Sequence, residues 1–268
     1  MLNPPQDDEP RSSGSRRTVA VAVLAVVVVA AVAVVAVVIV GRGSSSTTAA
    51  PESTVAAPTT TSAVPASATA ATTSSAAAAV VSRTCSYPVS GTAARPATAP
   101  PATAPATGTF TGELTTSAGP VPFTLDRAKA PCTVASVISL AGQSYYDDAP
   151  CTRLTTATIF VLQCGDPTGT GTGGPGYTVP DELPAATGTT AYPRGTIAMA
   201  NTGAPNTGGS QFFLVYKDSP LPPTYTVLGT IAPAGLATLD AIAAGGTANG
   251  TGDGPPATPV KILALSGS

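Results

Sequence analysis

Residues 195–215, GTIAMANTGAPNTGGSQFFLV, read as a strand, a polar loop and a second strand. Thr196, Ile197, Ala198 and Met199 make one extended run, and Phe212, Phe213, Leu214 and Val215 make the other. Such residues suit pleated, buried backbone. Between the runs lie Gly203, Pro205, Asn206, Gly208 and Gly209, which turn a chain by tolerating positive φ or fixing it near −65°. A loop of this kind, mounted between apolar strands, can aim side chains and bare backbone at a ligand. The plainer alternative is a long hairpin connection without a role, and the rest of the chain decides between the two.

Outside this stretch, composition mainly removes possibilities. The 268 residues carry a formal charge of −2 with 10% charged residues, so nothing electrostatic points to nucleic acid as a partner. With 28 Pro, 27 Gly and 4% aromatic residues, part of the chain is not expected to pack as a core. Histidine is absent, which excludes Ser–His–Asp and Cys–His catalysis and His-ligated zinc. The four cysteines, at 85, 132, 151 and 164, form no C-x-x-C pair. That spacing argues against a zinc cluster or a thioredoxin-like site; neither a metal nor a cofactor is expected.

Residues 1–17 are polar and read as a short disordered tail. Residues 18–40, TVAVAVLAVVVVAAVAVVAVVIV, are uncharged and apolar. As a helix rising about 1.5 Å per residue they exceed the roughly 30 Å hydrocarbon core of a bilayer. A cleaved signal peptide is the rival, but its apolar region usually runs only about 7–15 residues. Arg16 and Arg17 precede the segment and a lone Arg42 follows it. The positive-inside rule then places the N-terminus in the cytoplasm and the remainder outside, in a single-pass topology. Residues 41–107 are Ala, Thr, Ser and Pro with hardly a charge; they are expected to form a disordered stalk, interrupted by Cys85.

A folded domain is expected over 108–268. Thr109–Leu114 and Val121–Leu125 suggest a hairpin, and APCTVASVISLAG (130–142) suggests a helix with Pro131 in its first turn. Val134, Val137, Ile138 and Ala141 fall on one face of it. A second short helix is expected over 235–244 with Leu236, Leu239, Ile242 and Ala243 inward, and further strands over 226–231 and 260–265. Many strands and two short helices suit a mainly β fold, a closed barrel plugged by helices.

The wording of four blocks goes further. MAN…G.PNT.GSQFF in the central stretch, YYDDAPCTRL (145–154), VLQCGDPTGTGTGGPGY (161–177) and LPPTYTVLGTI (221–231) closely resemble the cyclophilin-type peptidyl-prolyl cis-trans isomerases. The resemblance covers about residues 108–265. It implies a closed eight-stranded antiparallel barrel capped by two helices, and isomerisation of X–Pro bonds in proline-containing polypeptides by a monomer without a cofactor.

That chemistry suits a chain without histidine. Rotation about an X–Pro bond must break amide resonance, a barrier of about 18–20 kcal/mol, but no bond is cleaved and no proton need move. A protein must seat the proline ring, grip the flanking backbone and favour the twisted amide. In that state the prolyl nitrogen regains a lone pair, which a fixed cation can stabilise. By resemblance, Arg153 is that donor, and Gln163 bonds the substrate carbonyl and orients the arginine. Asn201 pairs with the substrate backbone, with Ala200 and Gln211 lining the same groove. Phe160, Val161, Met199, Phe213 and Leu221 form the proline pocket, with Tyr225 at its rim. Ten positions separate Arg153 from Gln163, about two more than is usual in the family, so the hairpin that bears Phe160 is longer.

Cys151 and Cys164 flank that hairpin and can face each other, leaving Cys85 with Cys132. Four cysteines allow three pairings, and free buried thiols are a further alternative; the sequence does not choose. The overall expectation is a membrane-tethered extracytoplasmic isomerase that assists folding of exported proteins. A non-catalytic proline-peptide binding module or surface adhesin on the same fold is its rival.

Overall fold

The computed structural model describes residues 81–185 and 192–268. The expected tail and membrane helix, and the stalk up to residue 80, lie outside the described residues. Among the described residues no helix is long and apolar enough to cross a membrane.

Two strands precede the main sheet, β1 (Ser82–Thr84) and β2 (Thr103–Pro105), paired antiparallel. The main sheet holds β3 (Thr109–Thr116), β4 (Gly119–Asp126), β5 (Arg153–Thr155), β6 (Val161–Cys164), β7 (Thr196–Met199), β8 (Phe212–Val215), β9 (Val227–Ile231), β10 (Asp253–Gly254) and β11 (Ile262–Gly267). Its order is β10-β5-β6-β8-β7-β9-β4-β3-β11, and its ladders are antiparallel. The two runs of the central stretch are neighbours, with Ala198 opposite Phe213 and Met199 opposite Phe212. The sheet curls until the segments that lead into β5 and β11 touch at a bridge, Pro150 to Lys261, where Cys151 N–H donates to the Val260 carbonyl at 2.8 Å. The expected closed eight-stranded barrel is thus a nine-stranded curled sheet, because β10 adds a short strand beside β5.

Side-chain alternation along each strand sends every second residue inward. The interior holds Leu114, Phe123, Leu154, Leu162, Phe212 and Leu214 among others. A void of only about 20 Å³ remains there, roughly one probe sphere of water. Ligands must therefore bind to the outside of the sheet.

Helices α1 (Pro131–Gly142) and α2 (Pro233–Ala244) supply apolar faces to this interior. Val134, Val137 and Leu140 of α1 are buried, as are Leu239 and Ile242 of α2. Each helix starts on a proline, whose fixed φ and missing donor suit the first turn. The N-cap of α1 is Ala130, which has no capping side chain. Glu182 replaces it from fifty residues away, accepting from Cys132 N–H (3.1 Å), Thr133 N–H (2.9 Å) and the Thr133 hydroxyl (2.8 Å). A carboxylate there also complements the positive end of the helix dipole.

Residues 82–105, which fall within the expected stalk of 41–107, are strapped onto the domain. Tyr87 packs edge-on to Tyr177 at 5.7 Å, and Arg95 donates to the carbonyls of Ser144, Tyr145 and Asp147 at 2.9, 3.0 and 2.7 Å. Cys85 is bonded to Cys132, and Cys151 to Cys164. Composition hid this strap, since Ala, Thr and Pro carry no period of their own; its order comes from partners far away in sequence.

The Cys151–Cys164 bond closes a short loop across the β5–β6 hairpin. Replacing both by serine is expected to lower stability by about 3 kcal/mol, from the loop-closure relation for a loop of this length. Urea unfolding checks it, and an unchanged midpoint would show that the hairpin does not need the bond.

Candidate functional site

On the outer face of β6, β7 and β8 the same alternation gathers a different set. Val161 and Gln163 point outward from β6, while Leu162 and Cys164 point in. Phe213, opposite both Gln163 and Ala198, joins Val161, Ala198, Val215 and Tyr192 in a second apolar cluster. Leu221, Tyr225, Ile159, Ala200 and Val227 pack against it. Tyr225 stands edge-on to Phe213 at 5.2 Å and 90°. Tyr192 clamps it there, donating to the Tyr225 carbonyl and accepting from the Tyr225 N–H, both at 2.9 Å.

The structure thus brings together Val161, Ala200, Phe213, Leu221 and Tyr225. It does not bring Met199 or Phe160 to them. Met199 is opposite Phe212 and belongs to the interior. Being one residue from Ala198, it must face the other side of the sheet. Phe160 precedes Val161 in the lengthened hairpin and packs towards the main cluster. Its ring meets Tyr216 edge-on at 6.0 Å and lies 4.3 Å from the Lys217 ammonium. Ile159 and Tyr192 take part unexpectedly; Ile159 stands two residues before Val161 in the run IFVL, where strand parity could have marked it, whereas Tyr192 lies in no apolar run.

Arg153 starts β5 and sits directly opposite Gln163. Its Nε and Nη2 donate to the two carboxylate oxygens of Asp253, at 2.8 and 2.6 Å. Both side chains are about half-exposed. The bond to Asp253 holds the guanidinium pKa above its ordinary value and the Asp253 carboxyl below the usual carboxylate range. A guanidinium has five N–H donors, so this side-on pairing leaves both Nη1 donors and one on Nη2 for a ligand. Asp253, on the two-residue β10, gave no signal in the sequence; only sheet pairing brings it to Arg153.

Gln163 Nε2 donates to Gln211 Oε1 at 2.9 Å, and Gln211 Nε2 donates to the carbonyls of Gly171 and Gly173 at 3.0 and 2.9 Å. This relay fixes the amide of Gln163 with its oxygen directed away from Gln211. Asn201 donates to the Thr224 carbonyl at 2.9 Å and accepts from Gly203 N–H at 3.0 Å, so its side chain braces the loop and leaves its backbone to the groove. The loop carrying Gly171 and Gly173 is itself wound around Asp166, which accepts from Thr168, Gly171 and Gly173 N–H at 2.8, 2.8 and 3.0 Å.

Beside the apolar cluster lies a polar pocket of about 500 Å³, floored by Gln163, Asn201 and Gln211 and sharing Ala200 with the cluster. An apolar seat, a half-exposed cation and a polar recess therefore adjoin one another on the outer face of the sheet. Among the described residues no group of His, Cys, Asp or Glu is arranged to hold a metal.

The family model for "Cyclophilin type peptidyl-prolyl cis-trans isomerase/CLD" matches residues 111–266. The chain is 50% identical over 194 residues to "Probable peptidyl-prolyl cis-trans isomerase B" of Mycobacterium leprae, covering 68% of this chain and 65% of that protein. It is 50% identical over 162 residues to the protein of the same name from Mycobacterium tuberculosis, covering 57% and 52%. The chain thus spans between half and two thirds of the length of these relatives. Among solved structures, a cyclophilin type peptidyl-prolyl cis-trans isomerase of Cryptosporidium parvum superposes with a TM-score of 0.52 at 28% identity, covering 59% of this chain and 98% of that one. With more than half of its length matched by the family model, the chain belongs to the cyclophilin-type peptidyl-prolyl cis-trans isomerase family.

Proposed function

We propose that this chain catalyses cis/trans isomerisation of X–Pro bonds in exported polypeptides. One observation carries the reading: Arg153 and Gln163 are register partners on neighbouring strands, beside an apolar cluster that contains Val161, Phe213, Leu221 and Tyr225. The proline ring sits against Phe213. The free donors of Arg153 face the prolyl nitrogen as it regains its lone pair, and the Gln163 amide grips a flanking carbonyl. These interactions strengthen as the amide twists, so they lower the barrier rather than merely binding the peptide. Two disulfides support an oxidising compartment, and the apolar run of 18–40 supports a membrane tether with the domain outside.

The second reading is a proline-peptide binding module. It draws on the Asp253 carboxylate, which already occupies two donors of Arg153. The two readings separate in one assay, exchange of a short Ala-Pro peptide followed by NMR. Catalysed exchange supports the isomerase, whereas binding without faster exchange supports the module.

A further inference from the structure

Residues 88–94 lie outside the matched family region of 111–266, yet part of them walls the polar pocket. The wall is anchored on both sides. Thr178 N–H donates to the Pro88 carbonyl at 3.0 Å, Ser90 N–H to Gly176 at 2.9 Å, and Ala94 N–H to Gly174 at 2.8 Å. Behind these, the Cys85–Cys132 bond and the three Arg95 contacts tie the strap to α1 and to the turn that follows it. Between the anchors Ser90, Gly91 and Thr92 form an exposed arch over the recess. Gly91 has a φ of +68°, a conformation that favours glycine. The hydroxyls of Ser90 and Thr92 make no hydrogen bond among the described residues.

Gln163, Asn201 and Gln211 floor the recess, and Ala200 joins it to the apolar cluster. A peptide with its proline on Phe213 and its backbone along Ala200 would carry a neighbouring side chain into the recess. Tyr177 is its one ionisable lining residue, so a charged side chain entering it would lose water without meeting a counter-ion. A hydroxyl or amide would meet donors and acceptors on the arch and on the floor.

We infer that the Ser90–Thr92 arch is a specificity-determining wall, which makes the site prefer proline peptides bearing serine, threonine or asparagine close to the proline. The inference rests on the peptide-binding part of the proposed function, and its test is a binding measurement, separate from catalysis.

Octapeptides with one proline, otherwise alanine, would carry threonine, alanine or glutamate at each of the three positions before and after it. Calorimetry on the intact chain reads their affinities. At one position threonine is expected to bind about fivefold more tightly than alanine, the effect of one or two added hydrogen bonds, and glutamate more weakly than either. Ser90→Ala with Thr92→Ala should erase the threonine preference. A preference that survives Ser90→Ala with Thr92→Ala, or no preference at any position, overturns the inference. Peptides that bind with the expected preference but are not isomerised overturn the isomerase reading and leave the wall standing.

Discussion

Arg153→Ala is expected to lower kcat/KM for X–Pro isomerisation by about 100-fold, the usual loss when one preorganised donor to a transition state is removed. The barrier is dominated by amide resonance, and the charge that develops is a lone pair on nitrogen. A cation pointed there acts on the twisted amide far more than on either planar isomer, so the loss should fall on kcat with little change in KM. Arg153→Lys should recover only part of it. An ammonium cannot meet Asp253 side-on and a ligand edge-on at once, as the planar guanidinium does. NMR exchange rates on a short Ala-Pro peptide, with circular dichroism to show intact folding, read this directly. A folded Arg153→Ala variant with unchanged kcat would remove the arginine from the mechanism.

The second large effect lies in the loop behind the site. Asp166 is fully buried, and besides three backbone N–H groups it accepts from the Thr168 hydroxyl at 2.7 Å. Asp166→Ala strands these donors together and is expected to cost about 3–5 kcal/mol of stability. The loop is drawn tight against the carboxylate: a Cβ on Gly173 would lie 2.0 Å from Asp166 Oδ1. Activity should fall as well, since Gly171 and Gly173 present the carbonyls that hold Gln211, and Gln211 holds Gln163. Thermal unfolding and exchange kinetics together check both parts; an unaltered melting temperature would show the loop to be held by other contacts.

The pH dependence has a definite sign. Burial raises the Asp166 pKa, but the hydrogen bonds from Thr168, Gly173 and Gly171 outweigh it and hold the value below the usual 3.8. A carboxyl whose folded pKa is depressed contributes stability that is fully present above its unfolded value and lost as pH falls through the folded one. The loop, and with it Gln163, should therefore come apart only below about pH 4.

Much of this molecule was legible in its residues. The runs at 196–199 and 212–215 are the strands that the pattern marks, because short, β-branched and aromatic segments between turn formers have few other options. Both helices start on prolines that only a first turn tolerates. The lack of histidine and the blocks around Arg153, Gln163 and Asn201 pointed to chemistry that needs a donor and an apolar seat, not a nucleophile.

Tertiary structure decided the rest, and in each case the partner lies far away along the chain. Sheet pairing set Asp253 against Arg153, one hundred residues apart. Strand parity turned Met199 inward and left Phe213 outward, a distinction that no apolar run carries by itself. The strap of 82–105 looks like stalk because its own side chains bury little. It is ordered by a disulfide, by three carbonyls for Arg95 and by backbone pairing with residues 174–178. Local sequence determines which segments can be strands, helices and turns; which side chains then meet depends on contacts that exist only once the sheet has curled.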